Sequence, residues 1–468
     1  MAALIATGMF TLVGCTSATG APAQQTPAQA EVPAITALSP VSSKIGSPAF
    51  TLSVVGSHFH PDAIVQWDQV DIAPTSVSNI LITAEIPADL LLQPGSHSVS
   101  VVNPGDSGGL SNSLVFSIPC EISGPTPASN QTRARLGAYY FDGWSGSLDS
   151  QPFTGMPLGS YQGRQPESGW QDLMVCSVEQ QLASAHNFGV DFFVFDWYFN
   201  PGVNDPGQNL NSAFEITRAL PDRHGMQYSI LYIDAPPFIA SPQDWPIVVN
   251  EWVGYMTDPD YVRVNGKPLL VIYDMSAMRR TFGCASAVAS ALNQLRATAI
   301  AQGLPGVYIA GGFYAGYDIV KKTGSLPDLS AAVPDGYDAI TMYNYSVGGV
   351  KGKQPFSVLS QAAQWMWAQG AQHSPLPFIP VAMNGWDARP WGNYDLWYQR
   401  NPEDVASLVD SAITWTNAHP QLRPEPASVP PLVFVEAWNE LGEGSYFIPT
   451  TDDGTTYGDA LAKILQKQ

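Results

Sequence analysis

The chain is 468 residues long, which gives room for two or three domains that each bury a sizeable core. Its content of 45% hydrophobic and 11% aromatic residues marks it as globular rather than disordered. Lys and Arg number 20 against 40 Asp and Glu, a net charge of −20, which excludes nucleic acid as a partner because phosphate binding needs a basic footprint.

In chain order, Met1 to Val13 is a short apolar segment ending in Leu12-Val13-Gly14-Cys15. Residues 1–15 have the pattern of a bacterial lipoprotein signal with its lipobox, and Cys15 is the expected lipidated residue. The segment departs from that pattern in having no Lys or Arg among its first residues. No run reaches the roughly 18 apolar residues of a membrane span, so membrane contact is expected through a lipid anchor alone. The expected location is the cell envelope, either anchored at the outer membrane or cell surface, or in the periplasm. Residues 16–33, mostly Ala, Pro, Gln and Thr, read as a flexible tether.

Residues 34–118 alternate on a period of two, as in Phe50-x-Leu52-x-Val54 and Val99-x-Val101. Turn signals at 46–48, 94–95 and 103–105 separate the runs, which predicts a β-sandwich. Leu38-Ser39-Pro40, Val54-x-Gly56-x-x-Phe59, Ile86-Pro87 and Ser111-Asn112 resemble the IPT/TIG immunoglobulin-like family. Gly105-Asp106-Ser107-Gly108-Gly109 satisfies the G-x-S-x-G pattern of a serine nucleophile. Such a serine needs a His base, and no motif surrounds His58, His60 or His97, so a Gly-rich hairpin turn is expected.

Residues 119–135 read as a linker. Apart from Cys15, the cysteines are Cys120, Cys176 and Cys284, enough for one bridge and one spare in a pairing the sequence leaves open. Structural burial is the expectation for all three.

Beyond the linker, residues 136–468 alternate between strand and helix signals. Strands are predicted at 136–141, 190–197, 227–234, 268–274, 306–311, 337–343, 377–383 and 430–438. Helices are predicted near 175–188, 209–222, 242–257, 283–303, 355–370, 402–418 and 457–466. The stretch 312–336, broken by Gly and Pro, is the weakest helix. The predicted fold is therefore multidomain: an immunoglobulin-like β-sandwich followed by a (β/α)8 TIM-type barrel.

In such barrels chemistry sits at the C-terminal ends of the strands. Those ends carry Asp142 with Trp144, Asp196-Trp197-Tyr198, Asp234, Asp274, Tyr343-Asn344-Tyr345, and Asn384 with Trp386-Asp387. Together they predict a polar cup with aromatic walls, suited to a carbohydrate. Asp196, Tyr343, Asn384 and Trp386 rank ahead of Asp234 and Asp274, because a strand-end Asp is often a helix N-cap.

The last predicted strand ends in Glu436-Ala-Trp438-Asn439-Glu440-Leu-Gly-Glu443-Gly-Ser-Tyr446. Carboxylates closing an apolar strand are expensive to bury without a task, and neighbouring acids push their pKa values apart. Alternation along a strand would put Glu436, Trp438 and Glu440 on one face. Glu436-x-x-x-Glu440-x-x-Glu443-Gly444, with Asn439 before the second Glu, resembles the signature of glycoside hydrolase family 99, and more closely that of its WbsX-like relatives. Tyr261 to Tyr273 and Phe378 to Asp387 add to the likeness, which spans roughly 136–460. The resemblance implies a retaining hydrolase. Glu443 would act as general acid and then base. Glu440 would be the base on the substrate's own 2-hydroxyl, which attacks C1 to give a 1,2-anhydro sugar, and Glu436 would bind at the same spot. Asn439, Trp438, Tyr446, Trp197 and Asp387 complete the expected substrate-binding set. The alternatives are a glycosyltransferase of surface-polysaccharide synthesis, against which the export signal counts, and a non-catalytic glycan-binding lipoprotein. Neither a metal nor a cofactor is expected: the seven His are scattered, and no phosphate-binding loop occurs.

Overall fold

The computed structural model describes residues 32–92, 94–105, 108–120, 133–144, 158–170, 174–200, 210–392 and 394–466. The signal with Cys15, most of the tether and linker, and Ser107 lie outside the described residues. The chain divides into two compact units.

The first is the sandwich. One antiparallel sheet runs in the order Ala34–Ser39, Phe50–Ser57, Leu81–Ile86, Pro74–Val77. The other is built on Gly95–Asn103, flanked by Ile64–Trp67, Gly109–Leu110 and Leu114–Ile118. Alternation decides which side chains meet: Leu52, Val54, Ile82, Ala84, Val99 and Val101 are fully buried. Trp67 packs against Phe116 and His97 at the centre.

The second unit is the barrel. Its strands are β1 (Arg135–Tyr140), β2 (Phe192–Trp197), β3 (Gln227–Tyr232), β4 (Lys267–Ile272), β5 (Tyr308–Gly312), β6 (Ala339–Thr341), β7 (Val381–Met383) and β8 (Leu432–Glu436). Each lies parallel to its neighbours, β1 pairing with both β2 and β8. Between β6 and β7 the ring closes on a parallel bridge, Ile340 to Phe378, with Ile340 N donating to Pro377 O and Ile379 N to Ile340 O. Burial on both faces is why these strands read as unbroken apolar runs. Phe192 and Phe434 fill the barrel interior so closely that a Cβ on Gly137 would meet the Phe192 ring at 2.4 Å.

Around the strands lie α1 (Val175–Asn187), α2 (Ser212–Ala219), α3 (Trp245–Met256), α4 (Met275–Phe282), α5 (Ala285–Ala301), α6 (Ala332–Asp335), α7 (Phe356–His373), α8 (Pro402–Ala418) and α9 (Thr456–Leu465). The weak stretch after β5 yields two short strands, Gly316–Asp318 and Thr323–Ser325, a 3-10 turn at Leu329–Ala331 and the short α6. Helix α4 was not anticipated: Asp274 caps it by accepting from Ser276 N, and Gly283 ends it before α5 begins. Cys120 is bonded to Cys176 in α1. The expectation of buried cysteines is corrected: neither bridged cysteine is fully buried, and Cys284 is exposed at the corner between α4 and α5. Among the described residues no helix is long and apolar enough to cross a membrane.

Candidate active site

Strand β8 is buried along its whole length and ends at Glu436, which is fully enclosed. The chain then leaves the ladder. Asn439–Glu440 turns back through 441–444 to pair antiparallel with Ser445–Tyr446, so Glu440 starts a tight hairpin and Glu443 sits in its turn. Gly444 has φ +66°, and a Cβ there would meet Asp387 Cβ at 2.9 Å, so the turn requires glycine.

Two hydroxyl-centred hydrogen-bond clusters hold the acids. Ser445 Oγ lies 2.7 Å from Glu436 Oε2 and 2.6 Å from both Asn384 Oδ1 and Glu436 O. Its single hydroxyl proton is shared among these acceptors, with Glu436 Oε2 one of them. Burial pushes the Glu436 pKa well above the ordinary carboxylate range, the Ser445 hydrogen bond holds it back, and the Glu440 charge adds to the rise. Tyr343 Oη lies 2.7 Å from Glu440 Oε1 and 3.1 Å from Asp196 Oδ2. A phenol also has one proton. The shorter contact takes it to Glu440, with Asp196 Oδ2 the second and longer acceptor. Burial, then the neighbouring Glu440 charge, raises Asp196 well above its ordinary value.

Glu440 is the least perturbed acid of the group, pushed up to about 7 by burial and held back by the Tyr343 hydrogen bond. Glu443 is raised well above its ordinary value by burial and by Glu440, Glu436 and Asp196. Glu440 therefore gives up its proton more readily than the acids around it. Asp196 Oδ1, Glu436 Oε1 and Glu443 Oε2 are all buried without a hydrogen-bond partner. A ligand's hydroxyls could satisfy these oxygens. Tyr139 and Tyr273 wall the cluster, their rings 4.8 and 5.5 Å from that of Tyr343.

Residues 237–461 match the family model described as glycosyltransferase WbsX, and residues 33–118 match that of the IPT/TIG domain. The chain carries a WbsX domain and a TIG domain. A solved glycoside hydrolase-like protein superposes with TM-score 0.51 at 14% identity, covering 74% of this chain and 98% of that one, which shows a shared fold. The GH99 endo-α-mannosidase from Bacteroides thetaiotaomicron gives TM-score 0.47 at 14% identity, covering 71% of this chain and 95% of that one. The TIG domain of human nuclear factor of activated T-cells, cytoplasmic 4, is 22% identical over 19% of this chain and 89% of its own, with TM-score 0.16. No curated protein matches the chain.

Of the residues singled out in the sequence, Asp196, Tyr343, Glu436, Glu440 and Glu443 come together at the C-terminal ends of the barrel strands, and all but Asp196 fall within the matched WbsX segment. Trp386 lines an adjoining cleft. Several others face elsewhere. Trp438 does not share a face with Glu436 and Glu440, because β8 ends before it. It packs on Phe188 and Phe193 behind the strand and donates to Gln181. Asn439 is clamped to the backbone of Phe141 through both its side-chain atoms. Trp197 follows Asp196 in β2, so it points outward and packs edge-on against Trp252 of α3. Asn384 holds the peptide after Glu436, donating to Ala437 O at 2.8 Å and accepting from Ala437 N at 3.1 Å.

Asp387 is engaged by Arg164 and Arg389. Burial, which would raise its pKa, is outweighed by the Arg389 hydrogen bonds and the Arg164 charge, so it stays below the usual range. Tyr446 donates to Asp453, and the Arg400 guanidinium lies over its ring. Asp142 accepts from Ala213 N near the start of α2, and Asp274 caps α4 and pairs with Arg280. Asp234 accepts from Asp274 N, outside the main cluster.

Sequence reasoning missed Tyr139, Tyr273 and Ser445, and also Arg164, which donates to Leu441 O and Asp387 O and so braces the hairpin. Tyr139 and Tyr273 read as core aromatics of their strands. Arg164 was the one cationic residue between Arg135 and Arg218, a signal that could have marked it. Among the described residues no group of His, Cys, Asp and Glu is arranged to hold a metal ion.

Proposed function

We propose that the protein is an exported glycoside hydrolase that cleaves glycosidic bonds in a poly- or oligosaccharide with retention of configuration. The observation that carries this reading is the gathering of Glu440 and Glu443 on one hairpin in a buried cluster with Asp196, Tyr343 and Glu436, where burial and neighbouring charges raise the Glu443 pKa further than that of Glu440. In the first step Glu440 takes the proton of the substrate's 2-hydroxyl and O2 attacks C1. The bond from C1 to the leaving oxygen breaks as Glu443 protonates that oxygen. In the second step Glu443, now ionised, takes a proton from water; the water oxygen attacks C1, the C1–O2 bond opens, and Glu440 returns its proton to O2. Tyr343 orients Glu440 and favours its ionised form, and Glu436 offers its unpaired Oε1 to a sugar hydroxyl.

The lipobox reading of Cys15 supports export with a lipid anchor. The test of the anchor is partition of the full-length protein with membranes and its release in Cys15→Ala; equal solubility of both would reject it. The description of the matched family favours a second reading, transfer of a sugar from an activated donor. A nucleotide diphosphate would lie against the Glu440 carboxylate, where Coulomb repulsion opposes it. Screening a glycan panel for released reducing ends, with and without nucleotide sugars, by wild type and Glu443→Gln separates the two. The hydrolase reading expects donor-independent release that Glu443→Gln abolishes.

A further inference from the structure

Beside the acid cluster the loops after β6 and β7 enclose a second cavity of about 220 Å³, lined by Asn344, Tyr345, Ser346, Trp386, Tyr394 and Tyr398, among others. Tyr345 forms the wall shared with the cluster: Glu436 and Tyr398 are both close enough to raise its pKa beyond what burial does. Its hydroxyl also accepts from Met383 N in β7, which fixes the wall to the barrel. The floor is rigid, because Leu396–Gln399 pairs in parallel with Gly352–Pro355 and Tyr398 N donates to Trp386 O.

Two features mark this cavity as built for a ligand. Tyr398 is 5% exposed and its hydroxyl is buried without a partner. A buried hydroxyl left unpaired is unfavourable, so its retention is explained by a group that arrives to pair with it. At the rim, Tyr394 is 50% exposed and meets the half-buried Trp386 edge-on at 6.1 Å, which leaves ring faces open for an apolar surface to lie on. A ligand with a flat apolar face and a hydroxylated edge answers both. A pyranose ring has those features, and the volume suits a single ring.

We propose that this cavity is a saccharide-binding subsite next to the cleavage point, in which Trp386 and Tyr394 carry one sugar ring and Tyr398 binds one of its hydroxyls. This rests on the hydrolase reading for its position relative to cleavage, but binding is testable without it. The residues are specificity-determining rather than catalytic, so KM should respond and kcat should not.

The test compares wild type, Tyr394→Ala and Tyr398→Phe, the first exposed and the second removing only an unpaired oxygen, so folding is not at risk. Binding is measured by saturation-transfer NMR titration with maltotetraose, cellotetraose, xylotetraose and mannotetraose. Hydrolysis is measured on whichever of these is cleaved and on aryl monoglycosides. The expected result is binding of at least one oligosaccharide, weakened about tenfold by Tyr394→Ala and about fivefold by Tyr398→Phe. Rates on aryl monoglycosides should be unchanged. If wild type binds an oligosaccharide with this sensitivity but cleaves nothing, the subsite stands and the hydrolase reading fails. If wild type binds none of the oligosaccharides, or both variants bind and cleave as wild type does, the subsite is overturned.

Discussion

Tyr343 Oη reaches two buried carboxyl groups, Glu440 at 2.7 Å and Asp196 at 3.1 Å, so the shorter and stronger contact goes to Glu440. Removing that hydroxyl in Tyr343→Phe takes away the hydrogen bond that lowers the Glu440 pKa. The Glu440 pKa should then rise, and the acidic limb of the kcat/KM profile should move to higher pH. For wild type the same limb should fall near pH 7, since Glu440 is pushed up to about 7 and only its ionised form is a base. A profile measured on any cleaved glycoside checks both; an acidic limb that does not move in Tyr343→Phe would remove Tyr343 from this role. At this scale the sequence was informative where chemistry contradicts burial. Acids at the end of an apolar strand stood out, whereas Tyr139 and Tyr273 resembled ordinary core aromatics.

At the scale of the element, the site depends on a strand that stops and a hairpin that begins. The eight strands were legible because burial on both faces forces apolar runs, even for β6 and β7 with three residues each. The reversal after Glu436 was not, because alternation carries no signal of where a ladder ends. This is why Trp438 and Asn439 were expected in the cup and lie behind it. Asn384 holds the reversal by pairing with both backbone groups of Ala437. Asn384→Ala should therefore destabilise the protein by about 1–3 kcal/mol for each buried group left unpaired. It should also lose activity without touching substrate. Denaturant unfolding and kcat measure the two; unchanged stability would show that the hairpin does not need this clamp.

For the whole molecule, the cluster implies that function is maintained against stability. A carboxyl whose pKa is raised on folding contributes stability that is present below its unfolded pKa and lost as pH rises through the folded one. For Glu440, moving from 4.5 to about 7, that loss is on the order of 3 kcal/mol and is complete just above pH 7. Glu440→Gln should thus be more stable than wild type at pH 8, with the gap closing as pH falls toward 4.5; a gap that is constant with pH would contradict the shift. The barrel should also fold without the sandwich. The Cys120–Cys176 bridge closes a separation of 56 residues, worth on the order of 4 kcal/mol by the chain-entropy estimate. A chain beginning at Ser117 should accordingly melt higher than one beginning at Gln131, and reduction should erase the difference. The sequence could not choose this pairing, since three thiols leave it open until the fold brings two of them together.

The central claim is that Glu440 and Glu443 do different work, and leaving-group dependence tests it most directly. Both Glu440→Gln and Glu443→Gln should slow hydrolysis by about 10²–10⁴. An activated aryl glycoside needs little protonation of its leaving oxygen, so it should partly restore Glu443→Gln and leave Glu440→Gln slow. Restoration of Glu440→Gln alone, or full activity in both variants, would contradict the account.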